Sequence, residues 1–338
     1  MDLNTIWFLL IIILIMGYAV LDGFDLGVGV LYLFTKDETA KRVYLNSIGP
    51  VWDGNEVWLL TAGGALFAAF PVVYATVFSG FYIPFMLLLA ALIFRAISFE
   101  FRGKVSSPGW KKLWDYFFGI GSLLPAILFG VAVGNIVSGL PIDISGMYVG
   151  RFPQLLNAYA ILVGLVSLSV FSMHGSIYLM IKTEGDIKEK VQPYVNKLWM
   201  TTVLLYALTS FFTLFEAPFQ FNGLLNSPLF WILFILLLVS IVLIPVFVKA
   251  QKYFRALIFS SLTIISMIGL TALSLFPRIV PSNIDLDFSL TVYNSASSKT
   301  SLTAMLYIAL IGMPIVIAYT IFVYRIFKGK VVITKESY

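Results

Sequence analysis

Cysteine is absent from this 338-residue chain, and histidine occurs once. Without thiols there are no disulfides, no thiolate metal sites and no iron–sulfur clusters. A haem held between two histidines would need a second one besides His174. Charge is also scarce. Only 12% of residues are Asp, Glu, Lys or Arg, 60% are hydrophobic, and the mean hydropathy is +0.95, which excludes a soluble globular protein of this size. The net charge of +5 invites a nucleic-acid reading, but the basic residues are scattered between apolar runs and answer to topology instead. There is no fixed-period repeat and no low-complexity tract. No polar stretch is long enough for a soluble domain. The longest, about 277–301, is rich in Ser, Asn and Asp and reads as a solvated loop with room to touch a partner or cap one face.

Apolar runs of spanning length, about 20 residues at 1.5 Å each, recur nine times. They fall near 6–34, 47–70, 79–98, 116–137, 155–181, 199–217, 229–248, 256–276 and 302–324. The start, MDLNTIWFLLIIILIMG, has an acidic flank and no small-residue cleavage site, so it reads as a retained first helix. The loops between spans form two alternating sets. One set carries eighteen of the twenty-two Lys and Arg residues, the other only Arg151, Arg278 and Lys299, with Arg95 at the inner end of the third span. That asymmetry predicts a nine-helix, all-α membrane protein forming one polytopic domain over 1–338, N-terminus outside and C-terminus cytoplasmic.

Against this background four acids stand out. Asp22 and Asp25 lie in the first span, Asp53 and Glu56 in the second. One ionised carboxylate near mid-bilayer opposes insertion by roughly 3 kcal/mol, so four facing lipid would oppose it by about 10 kcal/mol. They must face protein, water or one another. Each pair is spaced i, i+3, which puts both members on one helix face. Tyr18 and Gly29 share the face of Asp22 and Asp25; Gly63 and Gly64 continue that of Asp53 and Glu56. Gly23 and Gly27 form a small-xxx-small pair that admits a close helix neighbour. The two spans run antiparallel, and counting residues from the inner loop puts both acidic faces about 12–15 Å inside the inner surface. A single polar cluster is the expectation.

Three readings of that cluster are open. The acids could be buried, paired groups that lock helix packing. They could form a proton or cation path entered from the cytoplasm, because crowded carboxyls can hold and release protons. They could, with Asn55, bind a hard cation, although no nearby His supports a transition metal. Elsewhere, His174 reads as a hydrogen-bonded packing residue or, less simply, a haem ligand or proton group. Scattered Met is core material. Trp52 and Trp58 bracket the second acidic pair, and Arg95 and Glu100 could pair at the inner interface.

The segments LDGFDLGVG (21–29) and NSIGPVWDGNEVWLLTAGGALFAAFP (46–71) closely resemble subunit II of the cytochrome bd-type quinol oxidases. The likeness continues through FSGFYIP (78–84), GVAVGNIVSGLP (130–141), Leu155–Leu156–Asn157, SLTVYNSASSKTSL (289–302) and 314–319, and so covers essentially the whole chain. The resemblance implies nine helices in two four-helix bundles plus one peripheral helix. It implies a heterodimer in a bacterial or archaeal cytoplasmic membrane that oxidises quinol and reduces dioxygen to water. In such a heterodimer subunit I holds two b-type haems, one d-type haem and the quinol site, while this subunit ligates no haem or metal and has no catalytic residue of its own. Small single-helix subunits and lipid are further expected partners; nucleic acid is not. By the same resemblance Asp22, Asp25 and Asp53 belong to a proton route toward the partner's oxygen-reducing haem. Glu56 and Tyr18 join them from their positions alone. A stand-alone proton-coupled transporter is the alternative function, but such a protein should repeat its acidic site in both halves, and this chain does not. A pure scaffold would account for the spans and not for the acids.

Overall fold

The structure is a computed structural model and describes residues 2–333. Helix dominates because long apolar runs in lipid must satisfy every backbone polar group internally. α1 (Leu3–Leu33) is capped by the Asp2 side chain, which accepts from the Thr5 N–H at 2.8 Å. A short amphipathic α2 (Glu38–Ile48) follows, then α3 (Trp52–Ala69), α4 (Pro71–Gly80), α5 (Tyr82–Phe101) and α6 (Pro108–Ser138). The second half comprises α7 (Ala158–Lys182), α8 (Gly185–Glu216), α9 (Pro228–Lys249), α10 (Tyr253–Leu275) and α11 (Lys299–Ile326). The segment between α10 and α11 carries a small antiparallel ladder, β1 (Arg278–Val280) on β2 (Leu290–Thr291), so this loop is structured where a plain solvated loop was expected.

Eight described helices are long and apolar enough to cross a membrane. α3, which covers most of the second expected span, is not among them, because Asp53, Asn55 and Glu56 sit in and just after its first turn. The start of that span, 47–51, belongs to the end of α2 and a turn. The third expected span is preceded by a separate helix, α4, which Pro71 opens at its first position.

α1 is the hub and packs against α3, α6, α7 and α10. α5 lies on α6, α8 on α7 and α9 on α10, while α11 leans on α1 and α3 with its most apolar stretch exposed. Apolar cores form at both ends. One gathers Tyr32, Tyr44, Phe99, Phe118, Met180 and Tyr253 where the basic loops lie; the other gathers Trp7, Phe70, Phe81, Leu140, Val280 and Leu302. The small residues of α1 do admit a neighbour, namely α7. A Cβ on Gly27 would fall on the Phe171 carbonyl, and one on Gly175 would stand 2.5 Å from the Val28 nitrogen. At that crossing backbone meets backbone, so nothing flexible can yield.

Candidate functional site

Residues 22–32 of α1 are all buried, and the acids among them have ordered partners. Asp22, 0% exposed, meets Arg95 of α5, 1% exposed. The guanidinium forks onto the carboxylate, Nη2 to Oδ1 at 2.7 Å and Nη1 to Oδ2 at 3.2 Å. Two parallel charge-assisted bonds fix both helices in register. Asp25, also fully buried, accepts from the Asn55 Nδ2 of α3 at 2.7 Å. The same amide donates to the Leu21 carbonyl at 3.1 Å, and its oxygen accepts from the Tyr324 hydroxyl of α11 at 2.9 Å. The Asn55–Asp25 bond puts the acidic turns of α1 and α3 at one depth, as counting along the two spans predicts.

The four acids are nonetheless not equivalent. Glu56 is half-buried and lies within electrostatic range of Arg95 and Asp22, whereas Asp53 is exposed at the start of α3, next to Glu56. The inner group is therefore Asp22, Asp25 and Glu56 around a single Arg95, with Asp53 at its outer edge. Four buried polar atoms here have no partner within the described chain: Tyr18 OH, Asp25 Oδ1, Trp58 Nε1 and Arg95 Nε. Buried polar groups are rarely left so, and these are the donors and acceptors that internal water would serve. The Tyr18 ring is held edge-on to Phe129 of α6 at 5.3 Å.

The sequence leaves open a pairing of Arg95 with Glu100 at the interface and does not identify Arg95 as the counter-charge of Asp22. The signal was present: a lone Arg inside LLLAALIFRAISF is an intramembrane charge and calls for an acid. Tyr324 carried no such signal, since its partner lies 269 positions away. Trp52, one of the bracketing tryptophans, stacks on Phe99 at 5.0 Å. A second ionic group was also missed. Asp115 of α6 accepts from Arg102 Nε and Lys41 Nζ, each at 2.6 Å, and from the Tyr32 hydroxyl, while Arg102 reaches Glu38 at 2.7 Å. It ties together the basic-loop ends of α1, α2, α5 and α6.

His174 does not fit a haem ligand. It is 1% exposed, with Nδ1 at 2.5 Å from the Ser260 hydroxyl and Nε2 at 3.0 Å from the Val20 carbonyl, so both ring nitrogens are engaged between α1, α7 and α10. The hard-cation reading loses two of its donors. Asp22 is spent on Arg95, and Asn55 presents its NH2 rather than its oxygen to Asp25. Among the described residues no group of three or more His, Cys, Asp or Glu is arranged to hold a metal.

Over residues 3–327 the chain matches the family described as cytochrome bd terminal oxidase subunit II. The chain belongs to that family. It is 35% identical to the cytochrome bd-I ubiquinol oxidase subunit 2 of Escherichia coli K12, over 99% of this chain and 96% of that one. It is 37% identical to a probable cytochrome oxidase subunit 2 of Haemophilus influenzae, over 97% of this chain and 95% of that one. The cytochrome bd ubiquinol oxidase subunit 2 of Bacillus subtilis is 36% identical, over 98% and 97% respectively. A chain in the solved structure of the bd oxidase from Geobacillus thermodenitrificans shares the fold, with a TM-score of 0.79 at 16% identity, covering 97% of this chain and 99% of that one. The resemblance read from the DGFD and WDGN segments thus holds along the chain. As a member of this family, the protein is a membrane-embedded subunit of a bd-type terminal oxidase, and a subunit I is its partner in the complex.

Proposed function

We propose that this subunit carries protons through α1, α3 and α5 to the oxygen-reducing haem of subunit I, and braces that subunit, without ligating haem itself. The observation that carries the proposal is the charge balance of the inner group. One buried Arg95 compensates one of three carboxyls, and Asp22 takes it with both oxygens. Asp25 and Glu56 are left to take and give protons. Asp53, exposed at the edge of α3, serves as the entry carboxylate, and Glu56 stands between it and the interior. Tyr18 adds a hydroxyl that can both accept and donate, and Trp58 an indole N–H donor. Asp22, held by Arg95, fixes the local field more than it shuttles protons. The reaction supplied by the partner's two b-type haems and one d-type haem is quinol oxidation coupled to reduction of dioxygen to water, which consumes protons.

The associated topology is part of the proposal. Nine spans count α3 and join α4 to α5, with the N-terminus outside and the basic loops in the bacterial cytoplasm. α1, α3, α5 and α6 make one four-helix bundle, α7 to α10 the other, the two joined along α1, α6 and α7, and α11 is peripheral. A single polytopic domain follows, with lipid around it and room for small single-helix subunits. A stand-alone transporter has no observation in its favour: the buried acid group lies in α1 and α3, and the buried His174 of α7 is spent on packing.

The test is Asp53→Asn in the assembled complex. Because Asp53 is exposed, the change costs the fold little, so assembly and haem content should match the native enzyme. Quinol-driven oxygen consumption should fall at least about tenfold, a conservative bound on the roughly 100-fold or larger loss that removing a proton-transfer group brings. Normal turnover, or loss of haem and assembly, would count against the proton role.

A further inference from the structure

Where the basic loops end, the α9–α10 turn and the segment after α11 enclose an open cavity of about 560 Å³. Its polar lining is four cations, Lys252, Arg255, Lys328 and Lys330, and the neutral amide of Gln251, with Lys188 beside it over the Tyr253 ring at 4.5 Å. Among the described residues none of these five cations forms an ion pair with Asp or Glu. Lys330 donates instead to the Thr183 carbonyl at 2.9 Å, which pins the segment after α11 against the end of α7. Burial, reinforced by Lys188, holds the Lys330 ammonium below its usual range, and Glu184 is the acid that pulls the other way. The rest of the lining is apolar, Met180, Ile181 and Phe254, and Phe254 is 67% exposed.

We infer that this cavity binds a phosphate-bearing anion, the head group of an anionic phospholipid whose chains lie along the apolar rim beside Phe254. Four cationic side chains lining one cavity favour an anionic phosphate head over a zwitterionic one. A volume of this size admits a glycerophosphate head. The apolar rim favours an amphiphile over a free anion, because a soluble phosphate has no use for Met180, Ile181 and Phe254. On the orientation proposed above this is the cytoplasmic leaflet, but binding itself does not depend on that assignment or on the proton role.

The purified oxidase complex in neutral detergent is titrated with short-chain phosphatidylglycerol, with phosphatidylcholine and with inorganic pyrophosphate, following the thermal midpoint and the lipid retained in native mass spectra. Phosphatidylglycerol should raise the midpoint and be retained, and phosphatidylcholine should do neither. Lys252→Gln with Arg255→Gln should weaken phosphatidylglycerol binding by roughly 25-fold, about fivefold per charge removed near the surface. Lys252→Arg should keep it, and turnover in detergent without added lipid should match the native enzyme. Equal binding of both lipids, or unchanged affinity in the double variant, would overturn the site. Pyrophosphate displacing the lipid at equal concentration would overturn the lipid assignment in favour of a soluble phosphate.

Discussion

The Asp22–Arg95 pair permits a quantitative test, because both partners are out of water and their contact is bidentate at 2.7 and 3.2 Å. Arg95→Leu removes five donors and leaves a carboxylate with 0% exposure facing Asp25 and Glu56. Breaking one side of a buried pair costs about 3–5 kcal/mol, since the remaining charge keeps its desolvation penalty and loses its partner. At 1.4 kcal/mol per tenfold, the folding equilibrium constant falls by roughly 10² to 4 × 10³. Asp22→Leu should cost a similar amount by orphaning Arg95. Replacing both with Leu removes the desolvation penalty along with the attraction, so the double variant should lie close to native stability. The cycle then gives a coupling of about 6–10 kcal/mol in magnitude, the sum of the two single losses. The assay is unfolding of the purified complex in mixed sodium dodecyl sulfate and neutral-detergent micelles, with intrinsic tryptophan fluorescence as readout. Single variants within about 1 kcal/mol of native, or a double variant whose loss is the sum of the two, would refute the assignment of Arg95 as the counter-charge.

Three further outcomes follow from the packing and the loops. Gly175→Val should separate α1 from α7, because its side chain meets backbone atoms of Gly27 and Val28; the expected cost is about 1–3 kcal/mol, read as a lower yield of assembled complex on size exclusion. His174→Phe should leave haem content per complex and the visible spectrum unchanged while costing about 1 kcal/mol for each lost hydrogen bond, and a changed haem band would contradict the packing role. In the loop after α6, the Ser145 hydroxyl first and the Met147 N–H next hold the Asp143 carboxyl below its usual range. A depressed carboxyl stabilises above its unfolded value and loses that contribution as pH falls through the folded one. Amide exchange in 143–147 should therefore rise below about pH 4, and Asp143→Ala should abolish that dependence.

Much of the fold was legible because lipid restricts the choices. Apolar runs had to be helices, and the spans expected at 116–137, 229–248 and 302–324 lie within α6, α9 and α11. The second span was drawn too long at its start because α2 and the turn after it are short and apolar enough to extend a hydropathy window, although α2 is an amphipathic helix of its own. At the site, i, i+3 spacing correctly paired residues within a helix. It could not say which neighbour each face meets. Arg95 reaches Asp22 across 73 positions and Tyr324 reaches Asn55 across 269, contacts set by tertiary packing alone. The same limit explains Asp53. Its spacing from Glu56 suggested a buried partner, yet it sits on the first turn of α3, where the helix turns that face outward.

The proton role is tested most directly by following proton uptake with a pH-sensitive dye during a single turnover of the reduced complex with oxygen, comparing native enzyme with Asp53→Asn at equal haem content. The account predicts uptake slowed at least about tenfold, with oxygen binding unchanged. Uptake at the native rate in the variant would mean that protons reach the oxygen-reducing haem by a route that does not pass through this subunit's acids.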